Sequence, residues 1–153
     1  MSTEETRTAQ ANQVQAPNAT VVLLVEDEPV VREITGQVLE HAGYCVLESG
    51  SPNEALLVAS SHRGKIDLLL TDVVMPGMNG VELADKLRHL KPGLVTVFMS
   101  GYAEGDLIRK ARASSAAHIQ KPFTVDSLLT QIADALNAGA RQPTDKPSPY
   151  PSA

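Results

Sequence analysis

Five short apolar runs punctuate the chain: VVLLV (21–25), CVLE (45–48), IDLLL (66–70), LVTVF (94–98) and AHIQ (117–120). Three of them are nearly continuous in Val, Ile, Leu and Phe, as strands covered on both faces should be. Between the runs the apolar positions change period. Val31, Ile34, Val38 and Ala42 follow a 3-4-4 spacing, one face of a helix. Gly43 then stands where a helix C-terminus favours glycine. Pro52 suits a first helical turn, ahead of Ala55, Leu56 and Ala59. Leu83, Leu87 and Leu90 repeat the pattern, and Val125, Leu128, Leu129, Ile132 and Leu136 give its clearest stripe. Leu107, Ile108 and Ala111 mark a weaker helix over 103–113.

These segments make five successive βα units. Such alternation predicts an α/β fold, a parallel sheet with helices on both faces and right-handed crossovers. For five strands the natural arrangement is the flavodoxin-like doubly wound order 2-1-3-4-5, with a crevice at the carboxyl ends of the strands. The ends of the chain carry no such pattern. Residues 1–19 are polar and aperiodic, the composition of a disordered arm. Residues 139–153 include Pro143, Pro147, Pro149 and Pro151, which predicts an extended, disordered tail. The folded domain is therefore expected over 20–138.

Composition narrows the picture. The chain is 42% hydrophobic but only 3% aromatic, with no Trp, so the core must be aliphatic. A net charge of −5 argues against a nucleic-acid groove or an anionic membrane surface as partner. The single cysteine, Cys45, rules out an internal disulfide and fits a reducing compartment. The N-terminus lacks an apolar h-region, and no stretch approaches the roughly 20 apolar residues of a membrane span. The expected address is the cytoplasm.

The proposed topology turns these runs into a site. Glu26, Asp27 and Glu28 follow strand 1, Thr71 and Asp72 open the loop after strand 3, Ser100 ends strand 4, and Lys121 follows strand 5. Strands 1, 3, 4 and 5 are neighbours in that order, so Glu26, Asp27, Asp72, Ser100 and Lys121 share one edge. Three clustered carboxylates repel one another and raise one another's pKa values. Mg²⁺ resolves this, because it favours a few carboxylates plus waters and phosphate oxygens. Lys121 adds a positive charge for a phosphate, and Ser100 a hydroxyl donor. Phosphoryl transfer asks mainly for such positioning and charge neutralisation, and a carboxylate can be its nucleophile.

The ordered motifs VVLLVEDEP, LLLTDVVMPGMNG, VFMSGYA and IQKPF resemble the response-regulator receiver family over about residues 21–138. Their wording is most similar to receivers of hybrid histidine kinases. The resemblance implies that Asp72 is a phospho-acceptor in a two-component phosphorelay, and that Glu26, Asp27, Asp72 and the backbone carbonyl of Val74 hold Mg²⁺. It implies that Lys121 pairs with the phosphoryl group, that Ser100 is the switch residue, that Lys121–Pro122 is cis, and that Gly77 and Gly80 shape the loop. The donor would be a histidine kinase or histidine phosphotransfer protein. The output would be a protein partner or a homodimer through helix 4, strand 5 and helix 5, with Tyr102, Leu107, His118 and Gln120 as contributors. The chain is expected to carry no output domain and to act as a signalling module rather than an enzyme.

The chain departs from the family at one switch position. Receivers usually carry Tyr or Phe on strand 5, three residues before the lysine, and here that residue is His118. Its simplest expectation is a ring turned to solvent; a weaker switch or one responsive to pH is the alternative. Val74 and Tyr102 flank the family's path for hydrolytic water, and their bulk predicts a slowly lost phosphoryl group. A small Mg²⁺-dependent phosphohydrolase is the rival reading. Enzymes of that type carry a second aspartate where this chain has Val74.

Overall fold

The computed structural model describes residues 20–101, 109 and 116–145, the last six by backbone alone. Nine elements follow in order: β1 (Val21–Val25), α1 (Pro29–His41), β2 (Cys45–Ser49), α2 (Pro52–Ser61), β3 (Leu68–Asp72), α3 (Gly80–Leu90), β4 (Val95–Ser100), β5 (Ala117–Gln120) and α4 (Val125–Asp145). Of the helix expected over 103–113 only Arg109 is described, and it is helical; Tyr102 and Leu107 lie outside the described residues. The last described helix, α4, is thus the fifth helix of the sequence expectation.

All four strand pairings are parallel, and the sheet order is β2-β1-β3-β4-β5. Alternate residues of each strand feed opposite faces. Leu23, Val25, Leu69 and Phe98 pack with Ala55 and Ala59 of α2 and with Leu83 and Leu87 of α3. Val22, Leu24, Leu68, Leu70, Val97 and Met99 pack with Leu39 of α1 and with Leu128 and Ile132 of α4. Each fully buried aliphatic side chain contributes about 1.5–3 kcal/mol over its exposed state. Two aliphatic cores on a two-sided sheet explain why these strands read as continuous apolar runs.

Local chemistry fixes the helix starts. Pro29 and Pro52 open α1 and α2. The Ser51 hydroxyl accepts from Glu54 N at 3.1 Å. Asn79 and Glu82 form a reciprocal capping box at the head of α3, with bonds of 2.9 and 3.1 Å. Gly43 follows α1 with φ of +103°, as its place after the apolar stripe predicts.

Four boundaries or faces differ from the sequence expectation. Strand β3 runs two residues later than 66–70, so Thr71 and Asp72 are its last residues rather than loop. Asp67 explains the delay: its carboxylate and its backbone N–H both bond Val21, at 2.8 and 2.9 Å, before the ladder begins. Strand β4 likewise starts one residue later than its apolar run, at Val95, and ends at Ser100 as expected. In α1 the buried positions are Thr35, Gly36 and Leu39, while Ile34 is 56% exposed. Gly36 lies against the Glu48 side chain, so the helix faces the sheet through a glycine and a threonine that no apolar count detects. Finally, α4 stays helical past Gly139 to Asp145, through Pro143 in the segment expected to be extended. At Gly139 the helix lies close against Val95 of the sheet.

No helix among the described residues is long and apolar enough to cross a membrane.

Candidate functional site

The parallel order brings the carboxyl ends of β1, β3, β4 and β5 side by side. Asp72 closes β3 and Ser100 closes β4, while Glu26 and Lys121 are the first residues beyond β1 and β5. Backbone bonds lock these ends together. Glu26 N donates to Ser49 O at 3.1 Å, Val73 N to Met99 O at 3.0 Å, and Lys121 N to Ser100 O at 2.7 Å. Each side chain is therefore placed by the ladder and not by a free loop.

Lys121 lies between two carboxylates. Its Nζ is 2.7 Å from Asp72 Oδ1 and 3.0 Å from Glu26 Oε1. Glu26 is 1% exposed and Asp72 5% exposed. The other Glu26 oxygen accepts from Glu28 N at 3.2 Å. Asp72 Oδ1 sits in the ion pair but finds no aligned hydrogen bond. Carboxylate oxygens of Glu26, Asp27 and Asp72 all lie within 4.8 Å of one another. Asp27 is the exposed member, at the mouth of the cluster.

The loop after β3 holds two glycines for distinct reasons. Gly77 has φ of +83°, a conformation that a Cβ disfavours. Gly80 lies directly against the carbonyl of Asp72, and its N–H donates to Val73 O at 2.8 Å. A side chain there would push on the backbone that aims Asp72.

Charge explains what the cluster needs. Two buried carboxylates face one ammonium. Burial pushes the Asp72 carboxyl up, a hydrogen bond with Glu26 adds to this, and Lys121 opposes it; the result is about 8. Burial pulls Lys121 down, but its contacts with Asp72 and Glu26 outweigh that and raise it overall. Both directions follow from one excess negative charge in a buried site, which a proton or a cation can neutralise. The donor set is all oxygen, is buried at Glu26 and Asp72, and opens outward through Asp27. That chemistry fits a hard divalent cation such as Mg²⁺.

The family profile described as "Response regulator receiver domain" matches residues 22–133. The chain belongs to that family. Receivers of this kind are the signalling domains of two-component phosphorelay systems. They bind Mg²⁺ through an acidic pocket and interact with histidine kinases and phosphotransfer proteins. This receiver is 39% identical over 116 residues to the sensor kinase CckA of Brucella abortus, covering 75% of this chain and 12% of that protein. It is 28% identical over 108 residues to sporulation initiation phosphotransferase F of Bacillus subtilis, covering 70% of this chain and 86% of that one. The chain thus spans a small part of the kinase and most of the phosphotransferase. Among solved structures, the receiver domain of the hybrid histidine kinase CckA aligns with a TM-score of 0.65 at 34% identity, over 76% of this chain and 98% of that one. A CheY-like receiver from Methanospirillum hungatei aligns with a TM-score of 0.74 at 28% identity, over 82% of this chain and 100% of that one.

The receiver gathers Glu26, Asp27, Asp72 and Lys121 as the sequence anticipates, and the Lys121–Pro122 bond is cis. Val74 lies two residues beyond the end of β3, 47% exposed. His118 corrects the simplest expectation. Its ring is not turned to solvent: Nε2 lies 2.6 Å from the Oγ of Ser100, and Ser100 is only 4% exposed. Arg32 is a residue that motif reasoning passed over. It donates to the Glu26 carbonyl at 2.8 Å and pairs with Glu48 at 3.9 Å, tying the β1–α1 loop to β2. Its signal in the sequence is slight: it is the only lysine or arginine in α1.

Proposed function

We propose that this receiver takes a phosphoryl group from a phosphohistidine donor onto Asp72 in a Mg²⁺-dependent reaction and thereby switches a partner-binding face. The observation that carries the reading is the placement of Lys121, 2.7 Å from Asp72 and 3.0 Å from Glu26 at the carboxyl edge of the sheet. One Asp72 oxygen attacks phosphorus, the P–N bond to the donor imidazole breaks, and an acyl phosphate results. The imidazole leaves with the electron pair of that bond and picks up a proton. Glu26, Asp27, Asp72 and the backbone carbonyl of Val74 would hold Mg²⁺, which neutralises charge on the phosphoryl oxygens. Lys121 supplies the second positive charge, and its existing grip on Asp72 orients the nucleophile. Ser100 would donate its hydroxyl to the phosphoryl group.

The donor would be a histidine kinase or a histidine phosphotransfer protein in the cytoplasm. The output would be a protein partner or a second copy engaging the segment after β4, β5 and α4. Gln120 is exposed on that face. Intact mass after incubation with Mg²⁺ and acetyl phosphate tests the reading. A single phosphoryl adduct that Asp72→Asn abolishes supports it. The absence of both an adduct and Mg²⁺ binding would sink it.

A further inference from the structure

Ser100 ends β4 with its hydroxyl committed. Among the described residues, the one side-chain hydrogen bond of Ser100 is the 2.6 Å contact with His118 Nε2 on the neighbouring strand. The ladder builds this contact. Phe98 pairs with His118 and Ser100 with Gln120, so the β4 and β5 side chains at this edge are held in fixed register. Lys121 N also donates to Ser100 O at 2.7 Å, which clamps the backbone of the serine. What remains free is rotation about the serine side chain. Whichever partner donates, the bond fixes where Oγ stands, since a hydroxyl can meet either tautomer of the ring. Held against His118, Oγ is turned toward β5.

We infer that His118 is a positioning residue for Ser100: it holds the hydroxyl toward β5 in the unphosphorylated protein and has to release it before Ser100 can bond a phosphoryl group on Asp72. The inference rests on Asp72 being the phospho-acceptor. Only a side chain with a polar atom at the Nε2 position can do this. A phenyl ring of similar bulk offers no partner and leaves the hydroxyl free to turn. His118 therefore works against the switched state by the worth of one partly buried hydrogen bond. Losing that bond shifts the equilibrium toward the switched state by about two- to tenfold.

Beryllofluoride with Mg²⁺, a stable mimic of an acyl phosphate, is the probe, and the full chain is the sample. Calorimetric titration should show His118→Phe binding it about two- to tenfold more tightly than the parent, and His118→Gln, which restores a polar atom near the Nε2 position, returning toward the parent. In a Ser100→Ala background, His118→Phe should change nothing, since the two residues act as a pair. Nitrogen-15 spectra of the His118 ring in the unmutated protein give a readout that does not depend on any variant folding. Its Nε2 signal should move on saturation with beryllofluoride, as the hydrogen bond is lost. An unmoved signal in a saturated site overturns the inference, as does an equal His118→Phe effect with and without the serine. A parent that binds no beryllofluoride overturns the reading of Asp72 and takes this inference with it.

Discussion

Asp72 places a measurable burden on the fold when no metal is present. Its carboxyl is raised from 3.8 to about 8, chiefly by burial and then by Glu26. Between those two values the folded protein keeps a proton that the unfolded chain has lost. Stability must therefore fall as pH climbs from about 4 to about 8, by at most about 1.4 kcal/mol per pH unit. The ceiling over the whole window is about 6 kcal/mol, and relaxation with water entry brings a realistic figure to on the order of 3 kcal/mol. Asp72→Asn removes the charge while keeping the shape, and it leaves Lys121 with Glu26 as a balanced pair. In metal-free buffer near pH 8 the variant should be more stable than the parent by about 3 kcal/mol, or about 10 °C in Tm. The gap should close toward about pH 4. Saturating Mg²⁺ should restore the parent, by about 2.7 kcal/mol at a hundredfold excess over Kd, and help the variant less. The chain has no Trp, so urea unfolding followed by far-ultraviolet circular dichroism is the assay. A stability difference that stays constant across the pH range, or a parent that gains stability relative to the variant as pH rises, would refute the reasoning.

The remaining predictions probe the same site and its scaffold. Lys121→Met strands two buried carboxylates and should cost about 3 kcal/mol in urea unfolding near pH 8, less near pH 5 where Asp72 holds its proton. Asp27→Ala should weaken Mg²⁺ binding by calorimetry about tenfold or more, by analogy with losses at metal sites, yet leave unfolding within about 0.5 kcal/mol because Asp27 is exposed. Gly80→Ala drives a Cβ into the Asp72 carbonyl; it should cost about 1–3 kcal/mol and lower the yield of phosphoryl adduct in the mass assay. Leu70→Ala empties a fully buried position of the central strand and should cost about 2–5 kcal/mol without altering Mg²⁺ affinity at temperatures where the variant stays folded.

The order of elements and the site's main chemistry were legible because both are local. A strand buried on both faces must be apolar along its length, so VVLLV and the three leucines of IDLLL reveal themselves without a partner. Polar residues at the ends of such runs stand out for the same reason. Parallel topology then leaves one edge at which Glu26, Asp72 and Lys121 can meet. Those inferences use only periodicity and chain order, which a sequence carries in full.

Other features depend on neighbours distant in the chain, and these the tertiary structure decided. On α1 the close approach of Gly36 to Glu48 on β2 sits beside the buried Leu39, and Ile34 points outward. Helix α4 lies against Val95 at Gly139 and runs on through Pro143 to Asp145, against what Pro143 says locally. The sharing of Lys121 between two acids is a matter of ångströms, and so is the shift in Asp72 that follows from it. His118 is the clearest case. Its identity was visible as a departure from the aromatic pattern, but a histidine reads alike whether it faces water or a neighbour. Its bond to Ser100 exists because parallel pairing sets β5 beside β4 in one register, and registers between strands are written by the assembled sheet.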